Sequence, residues 1–183
     1  MVVIVRLWLV RHGDTAWSER GRLCGWADVP LSKSGLEQAR RLRARLAARR
    51  FDGVWTSDLA RARDFARLVF DGAAPDNRLR EIDFGSLEGR TFEECDPDTQ
   101  QALIVFDGFV APGGESVQSL ETRVRSFLFD LVPGEHLVFT HGGVIRLLHR
   151  LRGLSHSPAS GELMILDWPT SGREHVSSAR DMT

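Results

Sequence analysis

Cysteine is scarce in this sequence: of 183 residues only Cys24 and Cys95 are cysteines, and neither stands in Cys-x-x-Cys or zinc-finger spacing. That scarcity argues against a disulfide framework or a structural metal site, and fits two free thiols in a reducing compartment. Charge of one sign is not in excess either. The 24 basic and 25 acidic residues leave a net charge of −1, so nothing draws the chain as a whole to nucleic acid, and any anion preference must come from a local cluster. Long hydrophobic runs are absent. The apolar stretch Val2 to Val10 is too short to span a bilayer and lacks the basic lead and small-residue cleavage site of a signal peptide, so no membrane partner and a cytoplasmic location are expected. The dinucleotide fingerprint, the Walker sequence and a serine set in a glycine elbow are missing too, which sets aside nucleotide kinases, hydride-transfer enzymes and serine acyl transferases. There is no internal repeat, coiled coil or low-complexity tract. The simplest organisation is one domain over residues 1–183, large enough to bury about 70% of the surface its unfolded form would expose.

What is present begins with Leu7 to Ser18. The run Val2 to Val10, broken only by Arg6, is β-branched and nearly uninterrupted, so it reads as a parallel strand covered on both faces. Ligands of such sheets bind at the carboxyl ends of the strands, where Arg11 and His12 stand, and Gly13 lets the backbone pass closely by. On its own, a histidine after a strand is more often a hydrogen-bonded loop residue than a nucleophile.

After the loop Glu19 to Leu31, Ser34-Gly-Leu-Glu37 has capping-box spacing, although Ser32 fits a slightly earlier start, and Leu36, Ala39, Leu42 and Leu46 recur on one face. Arg40, Arg41, Arg45 and Arg49 on the other side read as a solvated helix surface rather than a nucleic-acid patch. Val54 to Thr56 reads as a second buried strand. Ser57 or Asp58 would then cap a helix from Leu59 to Phe70, its inner face Leu59, Ala62, Ala66 and Val69, with Arg61 in its first turn. Residues 76–90 predict a short strand near Leu79 to Ile82; on the residues alone Glu81, Asp83 and Glu88 are exposed loop acids. Asp96-Pro97 opens a helix to about Phe106, and the turn Pro112-Gly113-Gly114 leads through Glu115 and Ser116 to an amphipathic helix from Val117 to Leu131. Leu137 to Thr140 is another buried strand ending in His141, followed by Gly142, Gly143 and a helix from Val144 to Arg152. That arrangement makes an oxyanion or phosphate site, because free amides and the helix dipole face the ligand. Leu163 to Trp168 and His175 to Ser178 are further candidate strands. The alternation indicates an α/β fold, a three-layer sandwich with a mostly parallel central sheet and helices on both faces.

Two imidazoles, two arginines and a carboxylate, without metal-ligand spacing, suit a phosphoryl group. The blocks Leu9-Val10-Arg11-His12-Gly13, Gly25-Trp26-x-Asp28-x-Pro30-Leu31, Ser57-x-Leu59-x-Arg61-Ala62, Leu79-x-Glu81-x-x-Phe84-Gly85-x-x-Glu88-Gly89, Gly113-Gly114-Glu115-Ser116 and Thr140-His141-Gly142-Gly143-Val144 resemble the histidine phosphatase (phosphoglycerate mutase-like) superfamily, in the family's order from Leu7 to Arg152. The resemblance implies that His12 is the nucleophile forming a phosphohistidine, that Arg11, Arg61 and His141 bind the phosphate oxygens, and that Glu81 protonates the leaving alcohol and can take the proton back from the hydrolytic water. It implies no metal and no cofactor. His12 should be neutral at its attacking nitrogen, its other nitrogen bonded to a backbone carbonyl, and Glu81 should be partly desolvated or held as the acid by the bound phosphate. Asp14, Ser18 and Phe65 depart from the family's usual glutamate, asparagine and threonine. Ser18, Cys24, Gly25 and Gly142 are candidate pocket-lining residues, Cys24 as a neutral one.

The family holds mutases and phosphatases. Mutases usually carry a longer insertion between the equivalents of Glu81 and Gly113, which this chain crosses in about thirty residues. The expectation is therefore a phosphomonoesterase acting on a small phosphorylated metabolite, most similar to short bacterial α-ribazole phosphatases. Phosphoglycerate mutase is the alternative, and a non-catalytic module that binds phospho-ligands is a third reading. Trp17, Trp26, Phe84, Phe106 and Phe109 are candidates for an apolar rim, or simply for the core.

Overall fold

A computed structural model describes residues 3–170, so the candidate strand His175 to Ser178 lies outside the described residues. Five strands form one sheet: β1 (Val3–Arg11), β2 (Gly53–Thr56), β3 (Ala74–Pro75), β4 (Gly134–Thr140) and β5 (Leu163–Thr170), in the order β3-β2-β4-β1-β5. All neighbours are parallel except β5, which runs antiparallel to β1 at the sheet edge.

Because strand side chains alternate between faces, β1 and β4 feed two separate cores. Val5, Leu7, Leu9 and Val138 pack with α4 (Val117–Asp130) and α5 (Gly142–Leu151) on one face. Trp8, Val10, Leu137 and Phe139 pack with α1 (Lys33–Leu46) and α2 (Ala60–Val69) on the other. The remaining helix, α3 (Pro97–Val105), is capped by Asp96 with Pro97 in its first turn, as its sequence predicts, and its Leu103 joins the first core. The result is the expected three-layer α/β arrangement with a mostly parallel sheet.

Three local expectations are corrected. The first concerns α1, which starts from Ser32, whose Oγ accepts the Gly35 N–H at 3.2 Å. That is the earlier of the two starts the sequence allows; Ala39, Leu42 and Leu46 are buried as expected, with Gly35 on the same face, while Leu36 is 37% exposed. The second concerns α2: Leu59 stands at its cap, because Ser57 is bonded to His141 and Asp58 holds Arg80 through a two-bond fork at 2.8 and 2.6 Å. The third is that no strand forms over Leu79 to Ile82. A 3-10 turn covers Asn77–Leu79, and the carbonyls of Arg78, Arg80 and Glu81 accept from the Arg123 guanidinium instead of from a neighbouring strand.

The parallel register of β1 and β4 pairs Arg11 with Thr140, so both strands deliver a histidine to the same sheet edge, and the His12 N–H donates to Thr140 O at 3.0 Å.

Candidate active site

His12 is 5% exposed, and its Nδ1 lies 2.7 Å from the Gly13 carbonyl. A carbonyl only accepts, so Nδ1 carries the proton and Nε2 has the lone pair. The neighbouring donor fits this tautomer: Arg61 Nε–H points at His12 Nε2 from 3.1 Å. Burial first, and the Arg61 charge second, lower the His12 pKa to about 3, so the ring is neutral near pH 7. Gly13 is required by close approach, since a Cβ there would lie 2.7 Å from the Phe65 ring and 2.8 Å from Gly35 Cα.

Arg61 is fully buried and is not among the residues that line the cavity; its Nε–H faces the Nε2 side of the His12 ring. Its Nη1 donates to Ala27 O at 3.0 Å and its Nη2 to Cys24 O at 3.1 Å and Gly25 O at 2.6 Å. That loop is itself clipped by Glu88, whose carboxylate accepts the N–H groups of Trp26 at 2.5 Å and Ala27 at 2.8 Å. Gly25 faces this carboxylate rather than the cavity, and a Cβ on it would run into Glu88 Oε1. Glu88 is therefore no idle loop acid; its partners are backbone amides, which leave no mark in a sequence.

His141 is also fully buried, with Nε2 2.8 Å from Ser57 Oγ and its ring 5.0 Å from that of His12, edge to face. Burial, then the Arg61 charge, hold its pKa well below the usual histidine value. Its Nδ1 and the Nε of Arg11 are buried polar atoms without a hydrogen-bond partner among the described residues. Two such atoms beside one nucleophile candidate mark a place built for a polar ligand. Arg11 is otherwise held by Nη1 on Pro158 O at 2.7 Å.

Glu81, also read from the residues alone as an exposed acid, is 7% exposed. Its Oε1 accepts the Ile82 N–H at 2.9 Å and its Oε2 the Gly143 N–H at 3.0 Å, so the first turn of α5 holds the carboxylate. A Cβ on Gly143 would collide with Oε1.

A cavity of about 420 Å³ lies against these groups, although Arg61 and His141 are not among its lining residues. Arg11, His12, Ser18, Cys24, Glu81, Gly142 and Gly143 line its polar side. Ser18 Oγ accepts the Thr15 N–H at 2.9 Å. Burial pushes the Cys24 thiol pKa up, which makes this side chain a neutral lining group. Leu23, Phe84, Phe92, Leu103, Ile104 and Phe106 supply the apolar side, and Arg22 and Arg146 are the remaining cations.

Of the five aromatic rim candidates only Phe84 and Phe106 reach the cavity. Trp17 covers Gly89, Trp26 donates its Nε1–H to Glu81 O at 2.8 Å, and Phe109 is core beside Phe84. Arg22, Phe92 and Arg146 are lining residues that sequence reasoning missed. Arg146 was within reach of it, standing four residues after Gly142 on the same helix face. Among the described residues, no group of three or more His, Cys, Asp or Glu side chains is placed to hold a metal ion, and no helix is long and apolar enough to cross a membrane.

A model of the histidine phosphatase superfamily (branch 1) matches residues 7–162. Among solved structures, TTHB049 from Thermus thermophilus is 44% identical, with 90% of this chain and 94% of that chain covered and a TM-score of 0.84. A "putative alpha-ribazole-5'-P phosphatase" from Escherichia coli K-12 is 32% identical, with 89% and 90% covered and a TM-score of 0.76. Among curated relatives, the "Probable phosphoglycerate mutase GpmB" of Cronobacter sakazakii is 35% identical over 152 residues, 76% of this chain and 70% of its own length.

Proposed function

The chain belongs to the histidine phosphatase superfamily, and within it we propose that this protein is a metal-independent phosphomonoesterase working through a phosphohistidine on His12, with α-ribazole phosphate or a similar ester as substrate. The observation that carries the chemistry is the commitment of His12 Nδ1 to Gly13 O, which leaves Nε2 as the nucleophilic nitrogen of a ring that shares its cavity with the Glu81 carboxyl.

Nε2 attacks phosphorus in line, the N–P bond forms as the ester P–O bond breaks, and Glu81 gives its proton to the departing alkoxide. Arg61 Nε–H, which rests on the Nε2 lone pair, turns to an equatorial oxygen as that lone pair is used. Arg11 and the Gly142 N–H take the other oxygens, the Gly143 N–H being held by Glu81. Water then attacks the phosphohistidine, Glu81 recovers a proton from it, and phosphate leaves with His12 neutral again.

The apolar side of the cavity favours an ester whose alcohol carries a flat or hydrophobic group, which is the feature that α-ribazole phosphate offers. The "alpha-ribazole-5'-P phosphatase" described for the E. coli neighbour agrees with this reading. Mutase activity is the second reading, favoured by the names of the curated relatives. Against it, the two extra cations turn to backbone carbonyls, Arg146 to Leu103 O and Ile104 O and Arg22 to Gly89 O, rather than forming a second anion site.

A panel of α-ribazole phosphate, 3-phosphoglycerate, sugar phosphates and nucleoside monophosphates, compared by kcat/KM with a chelator present, tests the proposal. Release of phosphate, highest from α-ribazole phosphate, is expected. Conversion of 3-phosphoglycerate to 2-phosphoglycerate faster than phosphate release, with a bisphosphate primer, would establish the mutase reading instead. Loss of all activity on chelation would overturn metal independence.

A further inference from the structure

Arg123 on α4 and Glu115 just before that helix form a two-bond ion pair, Nε to Oε1 and Nη2 to Oε2, both at 2.8 Å. Their side chains are only 17% and 12% exposed, and neither residue lines the cavity. Taking two charges out of water is costly, and apolar residues of similar size generally serve stability as well. A pair kept in such a place is informative about what else it holds.

Here it holds the segment that carries Glu81. Arg123 Nη1 donates to Arg78 O at 2.8 Å and Arg80 O at 2.6 Å, and Nη2 donates to Glu81 O at 2.8 Å. With the two bonds to Glu115, all five guanidinium N–H groups are committed. Glu115 grips the other side of Glu81: its own N–H donates to Asp83 O at 2.9 Å and its Oε2 accepts the Asp83 N–H at 3.4 Å. Gly114 permits the approach, because a Cβ there would strike Asp83 O. The stretch has no strand ladder to define its path; these bonds do so together with the Asp58 fork on Arg80, the Thr140 hydroxyl on Leu79 O and the Trp26 indole N–H on Glu81 O.

We propose that Arg123 and Glu115 are positioning residues for the proton donor, their buried pair fixing the backbone of residues 78–83 and so aiming the Glu81 carboxyl at the leaving oxygen. This rests on the reading of Glu81 as general acid. It also assigns a task to the Gly113-Gly114-Glu115-Ser116 block: Gly114 gives close approach, Glu115 completes the clamp, and Ser116 caps α4 by accepting the Ser119 N–H at 3.0 Å.

The test compares Arg123→Lys, Glu115→Gln and Glu81→Gln on phenyl phosphate, whose leaving group needs a proton, and 2,4-dinitrophenyl phosphate, whose leaving group does not, together with vanadate affinity. Lysine has three donors in place of five, and glutamine keeps the shape of Glu115 without its charge, so either variant loosens the clamp if the other fails to fold. For both clamp variants kcat on phenyl phosphate should fall about tenfold or more, with less than about a threefold change on the dinitrophenyl ester and in vanadate affinity. Equal losses on both esters, loss of vanadate affinity, or no loss at all would overturn the positioning role. If Glu81→Gln is selective between the esters and the clamp variants are not, only this inference fails. If Glu81→Gln shows no selectivity, the general-acid reading fails and takes the clamp with it.

Discussion

Arg61 Nε sits 3.1 Å from His12 Nε2, so the nitrogen that has to attack phosphorus accepts a hydrogen bond from a buried cation. A protonated ring would place two positive groups in contact out of water. Burial first, and this pair second, keep His12 neutral, and the cost of protonation appears in stability. The free imidazole titrates near 6.5 and the folded one near about 3, so between those values the unfolded chain binds a proton that the folded chain refuses. His12 thus leaves stability undiminished above pH 6.5 and erodes it as pH falls toward 3; His141, whose pKa is also depressed, acts in the same direction. Replacing His12 by asparagine should flatten the fall in denaturation midpoint between about pH 7 and pH 4. Equal slopes for the two proteins would show that the ring titrates normally in the fold.

Two glycine substitutions should separate a site effect from a fold effect. Alanine at Gly143 meets only the flexible end of Glu81, so Gly143→Ala should stay within about 1 kcal/mol of the parent in unfolding while slowing turnover of phenyl phosphate by about tenfold. Alanine at Gly35 meets the backbone carbonyl of Asp14, which cannot step aside, so Gly35→Ala should lose about 2 kcal/mol or more. The reverse pattern, with Gly143→Ala unfolded and Gly35→Ala unaffected, would contradict the packing described.

The contrast between those glycines marks what was legible in the sequence. Strand ends are legible: the apolar runs before His12 and His141 stop abruptly, and a parallel register then forces the two imidazoles together. Arg61 could be placed at that edge, but not its buried seat against His12 Nε2, because its carbonyl partners at Cys24, Gly25 and Ala27 belong to a loop without periodicity. Read from the residues alone, Glu81, Glu88 and Glu115 are equally hard to place, because their partners are backbone N–H groups or, for Glu115, an arginine eight residues on in the following helix. In α1 the periodic positions Ala39, Leu42 and Leu46 are buried as their spacing predicts, and only Leu36 in the first turn faces outward, with Gly35 inward. Phe106, with its left-handed backbone at φ 52° and Arg146 4.6 Å above its ring, reaches the cavity through a turn that amphipathic spacing does not describe.

Ile104 offers a clean probe of the apolar side, because it lines the cavity yet is 59% exposed. Ile104→Ser should leave stability within about 0.5 kcal/mol. It should raise KM for esters with an aromatic or bulky alcohol by roughly threefold to tenfold, and hardly change KM for glycerol phosphate. An equal effect on both kinds of ester would place the leaving group elsewhere.

If His12 takes the phosphoryl group, rapid quenching of the enzyme during turnover of a phosphate-labelled ester should trap it there. A stoichiometric burst of label is expected, stable in base and labile in acid, which peptide mapping assigns to His12 and which His12→Ala abolishes together with turnover. Label on another residue, or full turnover by His12→Ala, would contradict phosphoryl transfer to His12.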